Sequence, residues 1–270
     1  MNTLQNEIIK ELGVRPTIDT QEEIEHRVAY LVDRLGSTGL KGFVLGISGG
    51  QDSLLAGLLA QRAVKKIRTA GGEATFHAVL LPYGEQADRA DAVTACAVIQ
   101  PDYVHDFDIQ RGVDGAAEVF ASAEGRLMSD FSKGNLKARM RMAAQYLYAN
   151  ELNLMVIGTD HAAEAVVGFF TKYGDGGADV LPLSGLNKRQ GRALLRALGA
   201  PEHFMTKVPT ADLLDNRPSQ PDEFELGLTY DNIDDYLEGK PVHQAATDII
   251  EGRYVGTMHK RSLPDAYTGQ

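Results

Sequence analysis

KGFVLGISGGQDSLLAGLLAQRAV, residues 41–64, changes character twice. The apolar KGFVLGI reads as a buried strand, SGGQD as a turn and SLLAGLLAQRAV as an amphipathic helix. That order puts the backbone N–H groups of Gly49, Gly50 and Gln51 at the positive end of a helix dipole, where an anion binds well. Two adjacent glycines let the main chain come close to a phosphate and adopt positive φ without steric cost. Ser48 and Ser53 supply hydroxyl donors, and Asp52 supplies an oxygen suited to Mg²⁺.

The common phosphate loops do not fit. G-x-x-x-x-G-K-[ST] is missing, and Gly46-Ile-Ser-Gly49 breaks the G-x-G-x-x-G spacing. SGG-x-DS resembles the signature of the ATP pyrophosphatases, which cleave ATP between the α and β phosphates. The competing reading is a glycine-rich βα turn without a ligand.

Composition bounds the rest. The chain has 270 residues, 43% hydrophobic and 24% charged, which suits a globular α/β protein and excludes a disordered one. No apolar run reaches the roughly 20 residues a bilayer requires, so no membrane partner is expected. The N-terminus, MNTLQNEIIKELGV, lacks the pattern of a secretory signal. Cys96 is the only cysteine, so neither an internal disulfide nor a zinc cluster is expected, and a cytoplasmic protein is. A net charge of −10 argues against a nucleic-acid partner but not against a small phosphorylated ligand.

Strand-like runs recur at 42–47, 75–81, 103–107 and 153–158, with helical periods near 52–70, 85–99, 111–124 and 135–150. The alternation predicts an α/β fold, a doubly wound and mostly parallel sheet flanked by helices, in one domain over 1–270 with no repeat or linker. Ligands on such sheets bind beyond the carboxyl ends of the strands, where GISGG and MVIGTDH both lie.

Four further segments hold candidates. In GTDHAAE (158–164), Thr159 or Asp160 is placed to cap a short helix, with Glu164 one turn in. Asp160 and Glu164 share a face, either for a metal or as acidic residues at a surface helix start. His161 with Glu164 has no third ligand nearby in the sequence, which argues against zinc. FFTKYGDGGADVLPL (169–183) reads as a mobile loop, a lid or a plain surface loop, with Lys172, Asp175 and Asp179 along it. NKRQGRALLRALG (187–199) reads as a helix capped by Asn187 and ended by Gly199, with Lys188 in a first turn that favours anions. In KGNLKARMRMAAQYLY (133–148), Leu136, Met140, Ala143 and Leu147 form the expected buried stripe, flanked by Arg139 with Tyr146 and by Arg141 with Tyr148.

SGGQDS, KGNLKARMRMAAQY, GTDHAAEAVVGFFTKYGDGGADVLPLSGLNKRQ, PTADLLD, YDNIDDYLEG and HKR together resemble the bacterial ammonia-dependent NAD synthetases across essentially the whole chain. The resemblance implies a Rossmann-like fold of the ATP pyrophosphatase type. It implies adenylation of the nicotinate carboxylate of deamido-NAD by ATP with Mg²⁺, then amidation by ammonia with release of AMP and pyrophosphate. It assigns Gly46, Ile47, Ser48, Gly49, Gly50, Gln51, Asp52, Ser53, Thr159, Lys188 and Thr210 to ATP, and Asp52 and Glu164 to the metal. It assigns Arg139, Lys172, Asp179, His259 and Lys260 to deamido-NAD, and Phe131 and Tyr146 to a sandwich around the pyridine ring near a homodimer interface. Asp175 matches a residue proposed to help deprotonate ammonium.

Two rival readings fit the sequence less well. A tRNA-modifying adenylase is disfavoured by the acidic charge and the lone cysteine, and a non-catalytic ATP-binding module has no use for the Asp52–Glu164 pair. Glutamine is disfavoured as nitrogen donor because Cys96 lies in the Ala/Val-rich DAVTACAVIQ, which reads as helix packing.

Overall fold

The structure is a computed structural model that describes residues 3–85, 88–174, 176–210, 213–217, 220–264 and 266–267. Two helices, α1 (Thr3–Glu11) and α2 (Thr20–Gly36), precede the first strand. Asp19 caps α2 by accepting the Gln21 and Glu22 N–H groups, both at 2.9 Å. Then follow β1 (Gly42–Gly46), α3 (Gln51–Thr69), β2 (Thr75–Leu80), α4 (Arg89–Ile99), β3 (Tyr103–Asp106), α5 (Gln110–Glu124), α6 (Asp130–Leu152) and β4 (Met155–Val156). The strands form one parallel sheet in the order β3-β2-β1-β4.

Alternate residues of the strands feed opposite layers. Phe43, Leu45, Phe76 and Ala78 pack with α2, α3 and α4, whereas Val44, Val79 and Val156 pack with Val113 of α5 and Ala144 and Ala149 of α6. The chain therefore winds outward from β1 to β3 with helices on one face, and returns to the other side of β1 with helices on the second. The strand order reverses between β1 and β4, and ligands of such sheets bind at that switch point.

β4 is shorter than the expected 153–158 because Ile157 leaves the strand to bridge Val180. α4 starts at Arg89 rather than 85, with residues 86 and 87 outside the described set. The other expected strands and helices of the sheet fall within a few residues of their places.

The remaining helices are α7 (Ala162–Val167), α8 (Lys188–Ala197), α9 (His203–Thr206), α10 (Asp222–Leu226), α11 (Tyr230–Leu237), α12 (Gln244–Gly256) and α13 (Met258–Arg261). α7, α11 and α12 share a core of Ala163, Val166, Ile233, Tyr236 and Ile250 with Ile8 of α1. α8 instead joins the sheet through Leu194 and Leu195.

Two expectations fail. α7 is capped by His161, not Thr159 or Asp160, and no side chain bonds its N-terminus. The buried side of α6 is Gly134, Lys137, Ala138, Ala144, Gln145 and Ala149, while Ala143 and Leu147 are exposed and Leu136 and Met140 half-buried. The inner face of this helix lines a cleft as well as a core, so polar side chains are buried there. Lys137 donates to Leu213 O at 3.1 Å and to the Asp215 carboxylate, and Gln145 Oε1 accepts the Gly46 N–H at 2.8 Å.

Candidate active site

A cleft of about 290 Å³ opens at the carboxyl ends of β1 and β2, with Thr159, just past β4, also in its lining. Gly46, Ile47, Ser48, Gly50, Gln51, Asp52 and Ser53 form one wall of it. The turn is knitted by its own serines. Ser48 Oγ lies 3.1 Å from Ser53 Oγ, Gly50 N–H donates to Ser48 Oγ, and Ser53 hydroxyl donates to Gly50 O. Gly49 sits at φ +79°, and a Cβ there would stand 2.5 Å from the Ala92 nitrogen, so this glycine is required by packing against α4. Gly50 differs. Its φ is −90°, and a Cβ would meet only Ser48 Oγ, at 3.4 Å. Neither the backbone nor the interior demands a glycine at 50, which leaves the mouth of the turn clear for a ligand. The N-cap of α3 is Gly50 itself, which has no side chain to take the N–H groups of the first turn.

The start of α8 packs beside this turn, with Gln51 Nε2 donating to Lys188 O at 3.2 Å. Asn187 forms the expected cap, as a reciprocal capping box with Gln190. The Lys188 and Arg189 N–H groups donate to the two oxygens of Asp234, at 3.0 and 2.8 Å. Lys188 then turns inward, fully buried, with Nζ 2.7 Å from Asp52 Oδ2 and 3.3 Å from Glu164 Oε1. Lys188 therefore faces a pair of carboxylates and not solvent. His161 joins them, with Nε2 3.3 Å from Glu164 and 3.6 Å from Asp52. The sequence offered no third group for His161 and Glu164, but the fold brings Asp52, and ligand atoms of the three lie within 4.8 Å of one another.

Burial and charge compete here. Burial alone would raise Asp52 and Glu164, but Lys188 and His161 outweigh it and hold both carboxyls below their usual range. Burial would lower His161, yet Glu164 and Asp52 hold it at about 9. Burial would also lower Lys188, and the same carboxylates push it above the ordinary lysine value. All four groups are therefore ionised at neutral pH. Asp222 nearby is the exception, raised to about 6 by burial and by Glu164.

Thr159, Lys188 and Thr210 border the same cleft. A second chamber of about 250 Å³ adjoins it and includes Phe131 and Lys260. Around it, Arg139 Nε donates to Lys172 O at 3.2 Å and Lys172 Nζ to His259 O at 2.6 Å. Lys260 Nζ donates to Gly168 O and Phe170 O at 2.8 and 2.9 Å. The expected loop thus lies beside the cleft, tied down by α13. Tyr146 hydroxyl donates to Asp179 at 3.1 Å, and burial with that carboxylate pushes the phenol up to about 12. Phe131 and Tyr146 are not brought together. They lie on one straight helix, roughly 22 Å apart along its axis at 1.5 Å per residue. Asp175 lies outside the described residues.

Residues 23–267 match the family described as NAD synthase. Over 262 residues the chain is 60% identical to the NH(3)-dependent NAD(+) synthetase of Bacillus licheniformis, covering 97% of this chain and 96% of that protein. The chain belongs to the NAD synthase family. Among solved structures, the NAD+ synthetase of Burkholderia pseudomallei has a TM-score of 0.83 and 48% identity over 96% of both chains. The NMN synthetase of Francisella tularensis has a TM-score of 0.80 and 35% identity over 93% of this chain and 100% of that one. The NAD synthase resemblance read from the motifs is therefore correct.

In this NAD synthase fold the cleft is also lined by Lys207 and Asp222, which no local pattern marked, and Tyr230 is bonded to the second of them. Lys207 Nζ lies 2.6 Å from Asp91 and 3.4 Å from Gly49 O, beside the glycine turn. The Tyr230 ring faces Lys188 Nζ at 5.0 Å, and Asp222 accepts the Tyr230 hydroxyl. Their sequence surroundings read as loop and helix start, and only the long-range fold gives them a place.

Proposed function

We propose that this cleft joins ammonia to the nicotinate carboxylate of deamido-NAD at the expense of ATP, with the whole of 1–270 acting as one cytoplasmic synthetase unit. The observation that carries this reading is the open glycine turn facing a buried Lys188–Asp52–Glu164–His161 cluster, in a chain that matches the NAD synthase family almost end to end. A carboxylate is a poor acceptor for ammonia because oxide is a poor leaving group. Its oxygen first attacks the α-phosphorus of ATP, and the bond to the β-phosphate oxygen breaks to release pyrophosphate. Ammonia then attacks the acyl carbon of the resulting anhydride, and the tetrahedral intermediate expels AMP and loses a proton.

The 46–53 turn, Thr159, Lys188 and Thr210 would bind ATP. Fixed N–H groups and a lysine aimed at the departing charge stabilise it without reorganisation. Asp52 and Glu164 fit a hard divalent cation, since both present ionised carboxylate oxygens to one point. They would hold Mg²⁺, which neutralises phosphate charge when bound. Arg139, Lys172, Asp179, His259 and Lys260 would bind deamido-NAD, and Asp175 would assist ammonium deprotonation.

One ring cannot touch both Phe131 and Tyr146 of one chain at that separation, so a sandwich requires two chains. α5 favours the same conclusion, because only Val113 is buried along it, while Val119, and Leu147 of neighbouring α6, are exposed. We assign this face to a second copy, as a homodimer. Sedimentation showing an active monomer at assay concentration would contradict it.

The test mixes enzyme, ATP and Mg²⁺ with deamido-NAD and either ammonium or ammonia-free glutamine, and measures NAD, AMP and pyrophosphate. Cys96 is buried in α4 with its thiol pushed up by burial, the opposite of an activated nucleophile. Product should form with ammonium, and Cys96→Ala should leave that rate unchanged. Efficient glutamine use abolished by Cys96→Ala would overturn the nitrogen assignment. The likeness to an NMN synthetase supports one competing substrate, nicotinate mononucleotide. A higher kcat/KM for it than for deamido-NAD would replace the substrate named here.

A further inference from the structure

Asp222 is a buried carboxylate to which the ligation chemistry above gives no task. It is 6% exposed and opens α10 where Thr210 and Pro221 pair, with its own N–H donating to Pro209 O at 3.1 Å. Its Oδ2 accepts the Tyr230 hydroxyl at 3.1 Å, and this bond fixes the plane of the carboxylate. Its Oδ1 is buried without a hydrogen-bond partner among the described residues. A buried acceptor left so is costly, the more so when charged, and native proteins rarely carry one without a use for it.

The position of that oxygen is informative. Asp222 borders both the nucleotide cleft and the adjoining chamber, together with Phe169, Phe170, Thr171 and Leu213. In the proposed reaction the activated acyl group must form where these two spaces meet, because ATP comes from one side and deamido-NAD from the other. Of the charged groups that bear most on Asp222, the carboxylates Glu164 and Asp52 outnumber Lys188, an excess of negative charge that favours a small cation at this oxygen. The donors and walls narrow its chemistry further. Ca²⁺ and Mg²⁺ require six or more oxygens or ordered waters in a shell. Here Asp222 offers one carboxylate oxygen without a partner among the described residues and lines both chambers with Phe169 and Phe170, which suits a cation that donates N–H bonds and tolerates ring faces.

We propose that Asp222 Oδ1 is the docking point for ammonium, the nitrogen substrate, at the junction of the two chambers. This rests on the ligation reading above and adds the place where its third substrate waits. Asp222 binds the ion through its free oxygen, and Tyr230 acts as a positioning residue by holding the other.

The experiment uses the full-length enzyme and two measurements. The first is the KM for ammonium chloride at saturating ATP, Mg²⁺ and deamido-NAD. The second is deamido-NAD-dependent exchange of pyrophosphate into ATP without ammonium, which reads adenylation alone. A hydrogen bond to a charged group is worth about 1.5–3 kcal/mol, so Asp222→Asn should raise the ammonium KM about tenfold or more, with far smaller changes in exchange and in the KM values for ATP and deamido-NAD. Tyr230→Phe should move the same parameter in the same direction by a few-fold, and supplies the test if Asp222→Asn does not fold. An ammonium KM within about twofold of wild type in the folded variant would overturn the proposal. So would parallel rises in all three KM values with loss of exchange, which mark a packing role. Absence of exchange in the wild type would instead refute the ligation reading itself, before any variant is made.

Discussion

The first turns of α3 and α8 pack together at the edge of the cleft, with Gln51 Nε2 donating to Lys188 O at 3.2 Å, and the chain treats them in opposite ways. At α8 the free N–H groups of Lys188 and Arg189 are taken by Asp234, which is fully buried and also lies 3.7 Å from Arg192. At α3 the N-cap is Gly50, which carries no Cβ although the interior would admit one. A helix N-terminus attracts an anion in either case. The chain supplies that anion itself where it needs an anchor, and leaves it out at the turn proposed to bind a substrate phosphate. The anchored helix then delivers Lys188 to the carboxylate that α3 contributes, Asp52.

Four experiments would break or sharpen this contrast. Asp52→Ala removes charge from the open end, and turnover should fall by about three orders of magnitude, as when a single charge-stabilising group is deleted. Circular dichroism should show a retained fold, and full turnover at ordinary Mg²⁺ would refute the role. Asp234→Ala at the filled end should act on stability, costing about 3–5 kcal/mol in urea unfolding because buried donors and Arg192 lose their partner. Turnover per folded molecule should fall much less than for Asp52→Ala.

The two glycines separate next. Gly49→Ala should destabilise the enzyme by about 1–3 kcal/mol, through positive φ and collision with α4. Gly50→Ala should leave the melting temperature near wild type and raise the KM for ATP. Equal melting losses in both would show that Gly50 is also structural.

The smallest effect is a pH dependence. Burial raises Asp234 to about 6 from 3.8, even against the N–H groups and Arg192. Between these values the folded chain binds more protons than the unfolded one, so the Asp234 contribution to stability falls as pH rises through the window. Asp234→Asn has no such titration, and its deficit in urea midpoint should narrow from pH 4 to pH 6. A deficit that widens would mean the filled end prefers the charged form more strongly than its burial opposes it.

The readable parts of the sequence are those in which one local rule acts alone. The strand, turn and helix of 41–64 and the Asn187 cap were legible because periodicity, glycine and capping chemistry all agree there. α6 was misread because periodicity assumes that the inner face is apolar. On this helix Lys137 and Gln145 face inward, while Leu147 faces out toward the surface assigned to a second chain. The convergence of Asp52, His161 and Glu164, and the use of Asp234 and Asp222, were illegible for another reason. Each depends on where the chain returns after a long excursion, and no spacing in the sequence encodes that. Family resemblance supplied the ligand assignments, and it could not show that Phe131 and Tyr146 stand at different levels of one helix.

The clamp made by α13 sets the order in which the enzyme can become competent. Lys260 holds the carbonyls of Gly168 and Phe170, Arg261 holds that of Ala165, and His259 receives Lys172. Ribosomes deliver the phosphate turn early and these residues late, and folding during synthesis proceeds from the N-terminal side. A nascent chain can therefore finish its sheet and bury Lys188 while the 165–172 segment still lacks its fastening. Premature termination just before residue 259 would yield a protein with an intact core and an unfinished catalytic wall.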